Sequence, residues 1–251
     1  MLQASTMPQV KAVITDYIGT LASPRRYTLE ASIAKLHSAL ADVGFETERQ
    51  KFFDAYTKAH EKYRLVRYGE FKEITNAVWV SETLCSLGYE VNVDDLGMKA
   101  ALNVFFQDFI DSLVLRPCAE KLLKKASDKF KLGLISNFTY APVVHASLRQ
   151  LGINHFFNTV VVSEENGWRK PHKKIFTDTL ERLQVKPDEA VYIGDSPIED
   201  IKGAADAGFK TVFVLSQFNS LKDLHASGQK PDIIAEDLEE ICRNLARITT
   251  S

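Results

Sequence analysis

Cysteine is scarce in this sequence and widely scattered: Cys85, Cys118 and Cys242 are the only three among 251 residues. No two form a close pair of the metal-binding kind, and three separated thiols make no disulfide framework. The usage suits a reducing, cytoplasmic interior. Charge of one sign is also missing. Thirty-one basic against 33 acidic residues leave a net charge of −2, with the two signs interspersed. This excludes the basic footprint of a nucleic-acid-binding protein and any charged tail. No apolar run is long enough to span a bilayer, and Met1 to Val10 lack the charged-then-apolar pattern of a secretion signal. The six histidines show no metal-ligand spacing, and neither repeats nor low-complexity tracts occur. What remains is a 45% hydrophobic, 25% charged composition, ordinary for a soluble globular protein.

The apolar pattern divides the chain into three blocks. Lys11 to Asp16 (KAVITD) is a short β-branched run that ends on an acid and then Gly19-Thr20, which predicts a buried strand entering a loop. From about Tyr27 to Leu115 the spacing becomes helical, as in Ile33, Leu36 and Leu40, and again in Phe52, Tyr56, Ala59 and Tyr63. No convincing strand is expected there. After Pro117 strands and helices alternate: strands are predicted over 131–136, 160–163, 190–195, 211–215 and 232–235, with helices over 141–151, 173–183 and 199–207. Repeated β-α units predict a doubly wound, parallel, Rossmann-like α/β domain built from residues 1–22 and 116–251. An all-helical domain, residues 23–115, is inserted after the first strand.

In such sheets ligands bind beyond the carboxyl ends of the strands. Three of the predicted ends carry polar residues: Asp16, Ser136-Asn137 and Gly194-Asp195. A carboxylate is already ionised at neutral pH and can serve as a nucleophile. Two acids, Asp16 and Asp195, supply hard oxygen ligands of the kind Mg²⁺ takes. The order of these pieces resembles the haloacid dehalogenase-like superfamily. Its first motif appears as Asp16-Tyr17-Ile18-Gly19-Thr20-Leu21 and its second as Ser136-Asn137. The third appears as Lys170-Pro171, and the fourth as Gly194-Asp195-Ser196-Pro197-Ile198-Glu199-Asp200 followed by Gly203-Ala204. About 115 residues separate Leu21 from Ser136, a spacing similar to members with a helical cap at this point.

The resemblance implies catalytic roles for Asp16 (nucleophile), Ser136 (hydrogen bonds to the transferred group) and Lys170 (its ammonium counter-charge). It implies Mg²⁺ held by Asp16, Asp195, the backbone carbonyl of Ile18 and, directly or through its neighbours, Asp200. Gly19, Thr20 and Asn137 are expected at the substrate, and Arg67, on a Tyr-Gly loop, is expected to reach an anionic group of it from the cap. Tyr63, Arg64, Tyr68 and Trp79 are further candidates for facing the site. The expected partner is a small phosphorylated or otherwise anionic molecule. A monomer and a homodimer fit equally.

One position departs from the pattern. Phosphatases of this superfamily carry a second Asp two residues after the nucleophile, as proton donor and then base. Here it is Ile18, which can do neither, and the loss of general acid–base help costs roughly 10²–10⁴ in rate. Tyr17, adjacent to the nucleophile in an extended segment, is expected to point the other way. Three readings follow: a Mg²⁺-dependent phosphatase working through an aspartyl-phosphate; a 2-haloacid dehalogenase-type hydrolase, whose halide leaves without a proton but whose fourth motif usually lacks Gly-Asp; and a non-catalytic or regulatory binding protein.

Overall fold

The structure, a computed structural model, describes residues 9–250; the segment 1–8, most of the stretch read above for a secretion signal, lies outside the described residues. The elements run β1 (Ala12–Thr15), β2 (Ala22–Pro24), α1 (Leu29–Asp42), α2 (Arg49–Glu70), α3 (Asn76–Ser86), α4 (Leu96–Ser112), β3 (Leu113–Leu115), α5 (Ala119–Ser127) and β4 (Lys131–Ser136). They continue with α6 (Ala141–Gln150), β5 (Thr159–Val162), α7 (Ser163–Asn166), α8 (Lys173–Leu183), β6 (Ala190–Gly194), a wide helical turn (Pro197–Lys202) and α9 (Gly203–Ala207). Last come β7 (Lys210–Val214), α10 (Leu221–Ser227), β8 (Ile233–Ala235) and α11 (Leu238–Ile248).

Six strands form one parallel sheet in the order β5-β4-β1-β6-β7-β8. Alternate side chains leave opposite faces, as a period of two requires. Val13, Leu132, Leu134, Val191, Ile193 and Val212 pack with α5, α6 and α11. Ala12, Ile14 and Tyr192 pack with α8 and α9 on the other side. Both faces are covered, which is why these strands read as continuous apolar runs.

Residues 29–112 form four helices packed on a core of their own, built from residues such as Leu36, Phe52, Trp79, Met98 and Phe105. The expectation of no strand before Leu115 needs correction. β3 pairs antiparallel with β2, Ala22 opposite Leu115, where the chain leaves the sheet layer and returns to it. Three-residue strands are too short to show a period, and tertiary closure pairs them.

Two contacts dock the helical block on the sheet layer. Phe106 and Phe109 of α4 meet Phe138 after β4, and Phe106 stacks on Tyr140 at 5.3 Å. On the other side Lys72 makes a bridge to Trp168: Glu73 N–H donates to the Gly167 carbonyl at 3.0 Å and Arg169 N–H to the Phe71 carbonyl at 2.9 Å. The Glu73 carboxylate, with no exposed surface, accepts from Arg67 Nε (2.6 Å), Ser163 Oγ (2.5 Å) and Arg169 (3.4 Å). Arg169 lies over the Tyr68 ring and also reaches Glu199 at 3.1 Å. Removing one partner of a buried ion pair strands the other charge, at a cost of about 3–5 kcal/mol. Glu73→Ala is therefore expected to lower the unfolding free energy by roughly 3 kcal/mol in urea denaturation, and a change under about 0.5 kcal/mol would show that the latch does not contribute.

Candidate active site

The sheet order places β1 between β4 and β6, so the chain departs from β1 to one side and returns to the other. That switch point opens a crevice at the strand carboxyl ends. Asp16, Ser136 and Asp195 stand there, each at or one residue past the end of its strand. The adjoining cleft, about 320 Å³, is lined by Asp16, Ile18, Asn137, Asp195, Glu199 and Asp200 among others.

Lys170 ties the floor together. Its ammonium, wholly buried, donates to Asp16 Oδ1 at 2.6 Å, Asp200 Oδ1 at 2.6 Å, the Tyr192 hydroxyl at 3.1 Å and the Ile135 carbonyl at 3.2 Å. The Tyr192 hydroxyl donates to Asp200 Oδ1, and Ser196 N–H to Asp200 Oδ2, both at 2.9 Å. Asp195 Oδ1 accepts from Thr20 at 3.2 Å, and its Oδ2 from Ser216 at 2.7 Å and Asn219 at 3.1 Å. Oxygens of Asp16, Asp195 and Asp200 lie within 4.8 Å of one another. One oxygen, Asp16 Oδ2, is buried and has no hydrogen-bond partner.

Three carboxylates against one ammonium leave this pocket a formal charge of −2 if all are ionised. The electrostatics follow. Burial raises the Asp16 carboxyl, the Lys170 charge pulls it down and the charges of Asp200 and Asp195 push it up, so that on balance it is pushed up to about 8. Asp195 is raised too, by burial and then by Asp200. Burial alone would weaken the Lys170 ammonium, but Asp16 and Asp200 outweigh this and hold its proton well above the ordinary lysine range. The protein thus keeps the cation and lacks counter-charge for the acids. A divalent cation supplies both missing charges, and the all-oxygen donor set with a free Asp16 oxygen fits a hard one.

The backbone makes the close approach possible. Gly19 has φ +101°, and a β-carbon there would fall 2.6 Å from the Asp195 carboxylate; one at Gly194 would fall 2.5 Å from Asp200. Asn137 aligns the lysine segment by a reciprocal pair, accepting from Lys170 N–H at 2.7 Å and donating to its carbonyl at 3.0 Å.

Of the residues singled out by sequence, Asp16, Ser136, Lys170, Asp195, Asp200, Asn137 and Ile18 converge on the crevice. Gly19 and Thr20 adjoin it in a different capacity: Gly19 N–H donates to the Ala22 carbonyl at 2.8 Å and the Thr20 hydroxyl is turned to Asp195, so both organise the loop. Arg67 is corrected outright. Its Nε is spent on buried Glu73 and its guanidinium lies over Tyr68 and Trp79, outside the cleft. Nor do the other four cap candidates line the cleft: the Tyr63 hydroxyl donates to Glu82 and Arg64 pairs with Glu61, Trp79 is buried in the helical core, and Tyr68 packs beneath Arg169. Tyr17 does point away, its hydroxyl donating to Ser147 at 2.8 Å. The sequence reading missed Tyr192, Ser216, Asn219 and Arg116, whose guanidinium holds the carbonyls of Gly19 and Leu215 at 2.5 and 2.6 Å. Ser216 and Asn219 follow β7, so the rule that flagged the other strand ends would have found them.

Residues 98–214 match the sequence family described as haloacid dehalogenase-like hydrolase. A mouse (Mus musculus) protein, haloacid dehalogenase-like hydrolase domain-containing protein 3, is 28% identical over 82% of both chains. A glyceraldehyde 3-phosphate phosphatase of Methanopyrus kandleri is 51% identical over 83 residues, 33% of this chain and 35% of that one. The chain spans only 35–63% of the length of this and three other archaeal phosphatases of the same name. In fold it is similar to a 2-haloacid dehalogenase of Pseudomonas syringae pv. Tomato, with a TM-score of 0.68, 22% identity, and coverage of 95% of this chain and 99% of that one. In its motifs, its sheet order and these likenesses, the chain is similar to the haloacid dehalogenase-like hydrolases.

Proposed function

We propose that the protein is a Mg²⁺-dependent phosphatase of small phosphorylated molecules, working through an aspartyl-phosphate at Asp16, with the helical block as its cap. The observation that carries this reading is the buried acid cluster, short of two positive charges, around an Asp16 oxygen that nothing else occupies. Names of relatives, glyceraldehyde 3-phosphate phosphatase and ribulose-1,5-bisphosphate 5-phosphatase, support the same substrate class.

Asp16 is the nucleophile, its Oδ1 oriented by Lys170. Asp195, Asp200 and the Ile18 carbonyl would hold the cation. Bound there, Mg²⁺ would offset the repulsion between the Asp16 carboxylate and an approaching phosphate dianion. The Lys170 ammonium stabilises charge on the transferred group, and Ser136 and Asn137 hydrogen-bond its oxygens. With Ile18 in the acid–base position, the chain presents no proton to the leaving oxygen there. Carbon–halogen hydrolysis suits Ile18 equally, but it leaves the cluster of three acids around one lysine without a purpose.

Release of p-nitrophenol from p-nitrophenyl phosphate is expected to require Mg²⁺, and Asp16→Asn is expected to reduce it by at least about 10³; turnover indifferent to a chelator would reject the proposal. The cation must also displace the proton that burial favours on Asp16. Because Asp16 titrates near 8, apparent Mg²⁺ affinity should climb about tenfold per pH unit from roughly pH 6 to 8 and flatten above. Calorimetric titrations in buffers of different ionisation enthalpy would detect the released proton; a pH-independent affinity would contradict this charge assignment.

A further inference from the structure

Resting on the phosphatase reading, we infer that the preferred substrate is a small aryl phosphate monoester, its ring held against an apolar wall formed by Ile18, Phe138 and Phe218. All three line the cleft beside Asp16. Ile18 and Phe138 are partly covered by the core, and each keeps an exposed face. Phe218 is 51% exposed. A lone exposed aromatic needs no explanation, but the backbone that carries this one is held in place. Ser216 Oγ accepts from the N–H groups of Phe218 and Asn219, both at 3.0 Å, and donates to Asp195. Ser216 N–H closes the turn on the Asn219 carbonyl at 3.0 Å. The turn that secures Asp195 therefore presents a bare ring at the mouth of the same cleft.

A second observation, independent of the wall, selects the leaving group. Among the described residues, the carboxyls lining the cleft are Asp16, Asp195, Asp200 and Glu199. Asp16 and Asp200 accept from Lys170, Asp195 accepts from Thr20, Ser216 and Asn219, and Glu199 accepts from Arg169 at 3.1 Å. With Ile18 in the usual donor's position, the leaving oxygen must depart as an anion, and an aryloxide does so far more readily than an alkoxide. In the first step an Asp16 oxygen gives its electron pair to phosphorus, and the bond from phosphorus to the aryl oxygen breaks with its pair remaining on that oxygen. The aryloxide takes its proton from solvent. A water oxygen then attacks the aspartyl-phosphate, the carboxylate recovers its electron pair, and the water's proton passes to the released phosphate. Ring stacking on Phe218 and the proton-free departure thus ask for one molecule.

Four probes with Mg²⁺ separate the two contributions: phenyl phosphate, phenyl phosphates bearing electron-withdrawing substituents, glycerol 3-phosphate, and acetyl phosphate, which has a good leaving group but no ring. The inference expects kcat/KM for phenyl phosphate about a hundredfold or more above that for glycerol 3-phosphate, and a steep rise with the acidity of the phenol. Phe218→Ala should lower the ratio of phenyl to acetyl phosphate turnover by roughly fivefold, and Ile18→Asp should narrow the gap between phenyl and glycerol phosphates. Glycerol 3-phosphate hydrolysed as fast as phenyl phosphate would overturn the inference, as would a phenyl-to-acetyl ratio unmoved by Phe218→Ala. Failure of all four probes would instead reject the phosphatase reading beneath it.

Discussion

Three carboxylates buried around a single ammonium is the constraint on which the rest of the site depends. Lys170 satisfies one oxygen each of Asp16 and Asp200, while Asp195 is held only by neutral donors from Thr20, Ser216 and Asn219. Buried charges need partners, and the fold leaves this set two short. The raised affinity of Asp16 and Asp195 for protons expresses the same shortage. A cluster of this kind is a poor device for stability alone, because well-packed apolar residues of similar volume often serve a fold as well as or better than buried ion pairs.

The scaffold holds this arrangement by converging backbone from distant parts of the chain. Adjacent parallel strands bring Asp16, Ser136 and Asp195 together, and two glycines let the acids approach closer than any β-carbon would permit. The lysine segment is fixed from both sides. Asn137 clamps Lys170 through its own backbone, and the preceding Arg169 is buried against Glu73 of the helical block. Docking of that block and placement of the ammonium therefore share one short stretch of chain.

Much of this was legible in the sequence because strong local signals carried it. Apolar runs buried on both faces announced the parallel strands, and an acid or a hydroxyl at the end of each marked the crevice where Asp16, Ser136 and Asp195 meet. Other features had no such signal. The β2–β3 pair is too short for a period. Arg67, an arginine beside Tyr-Gly, looks the same in sequence whether it faces a ligand or, as here, a buried glutamate six residues on. Tyr192 sits in an apolar strand, where its hydroxyl contact with Lys170 depends on a partner 22 residues away. Arg116 is likewise defined by carbonyls it meets only after the chain has closed.

Ile18 gives the proposed chemistry its character: it stands two residues after Asp16, the proposed nucleophile, where a proton donor and base would be expected. Without that base, water should attack the acyl-phosphate slowly, so the intermediate should accumulate during turnover. Acid quenching of the protein with Mg²⁺ and a phosphate monoester, followed by mass spectrometry of its peptides, tests the central claim most directly. The account predicts a phosphoryl group on Asp16, lost when the metal is chelated. Turnover without any phosphoryl group on Asp16, or labelling that persists in chelator, would contradict it.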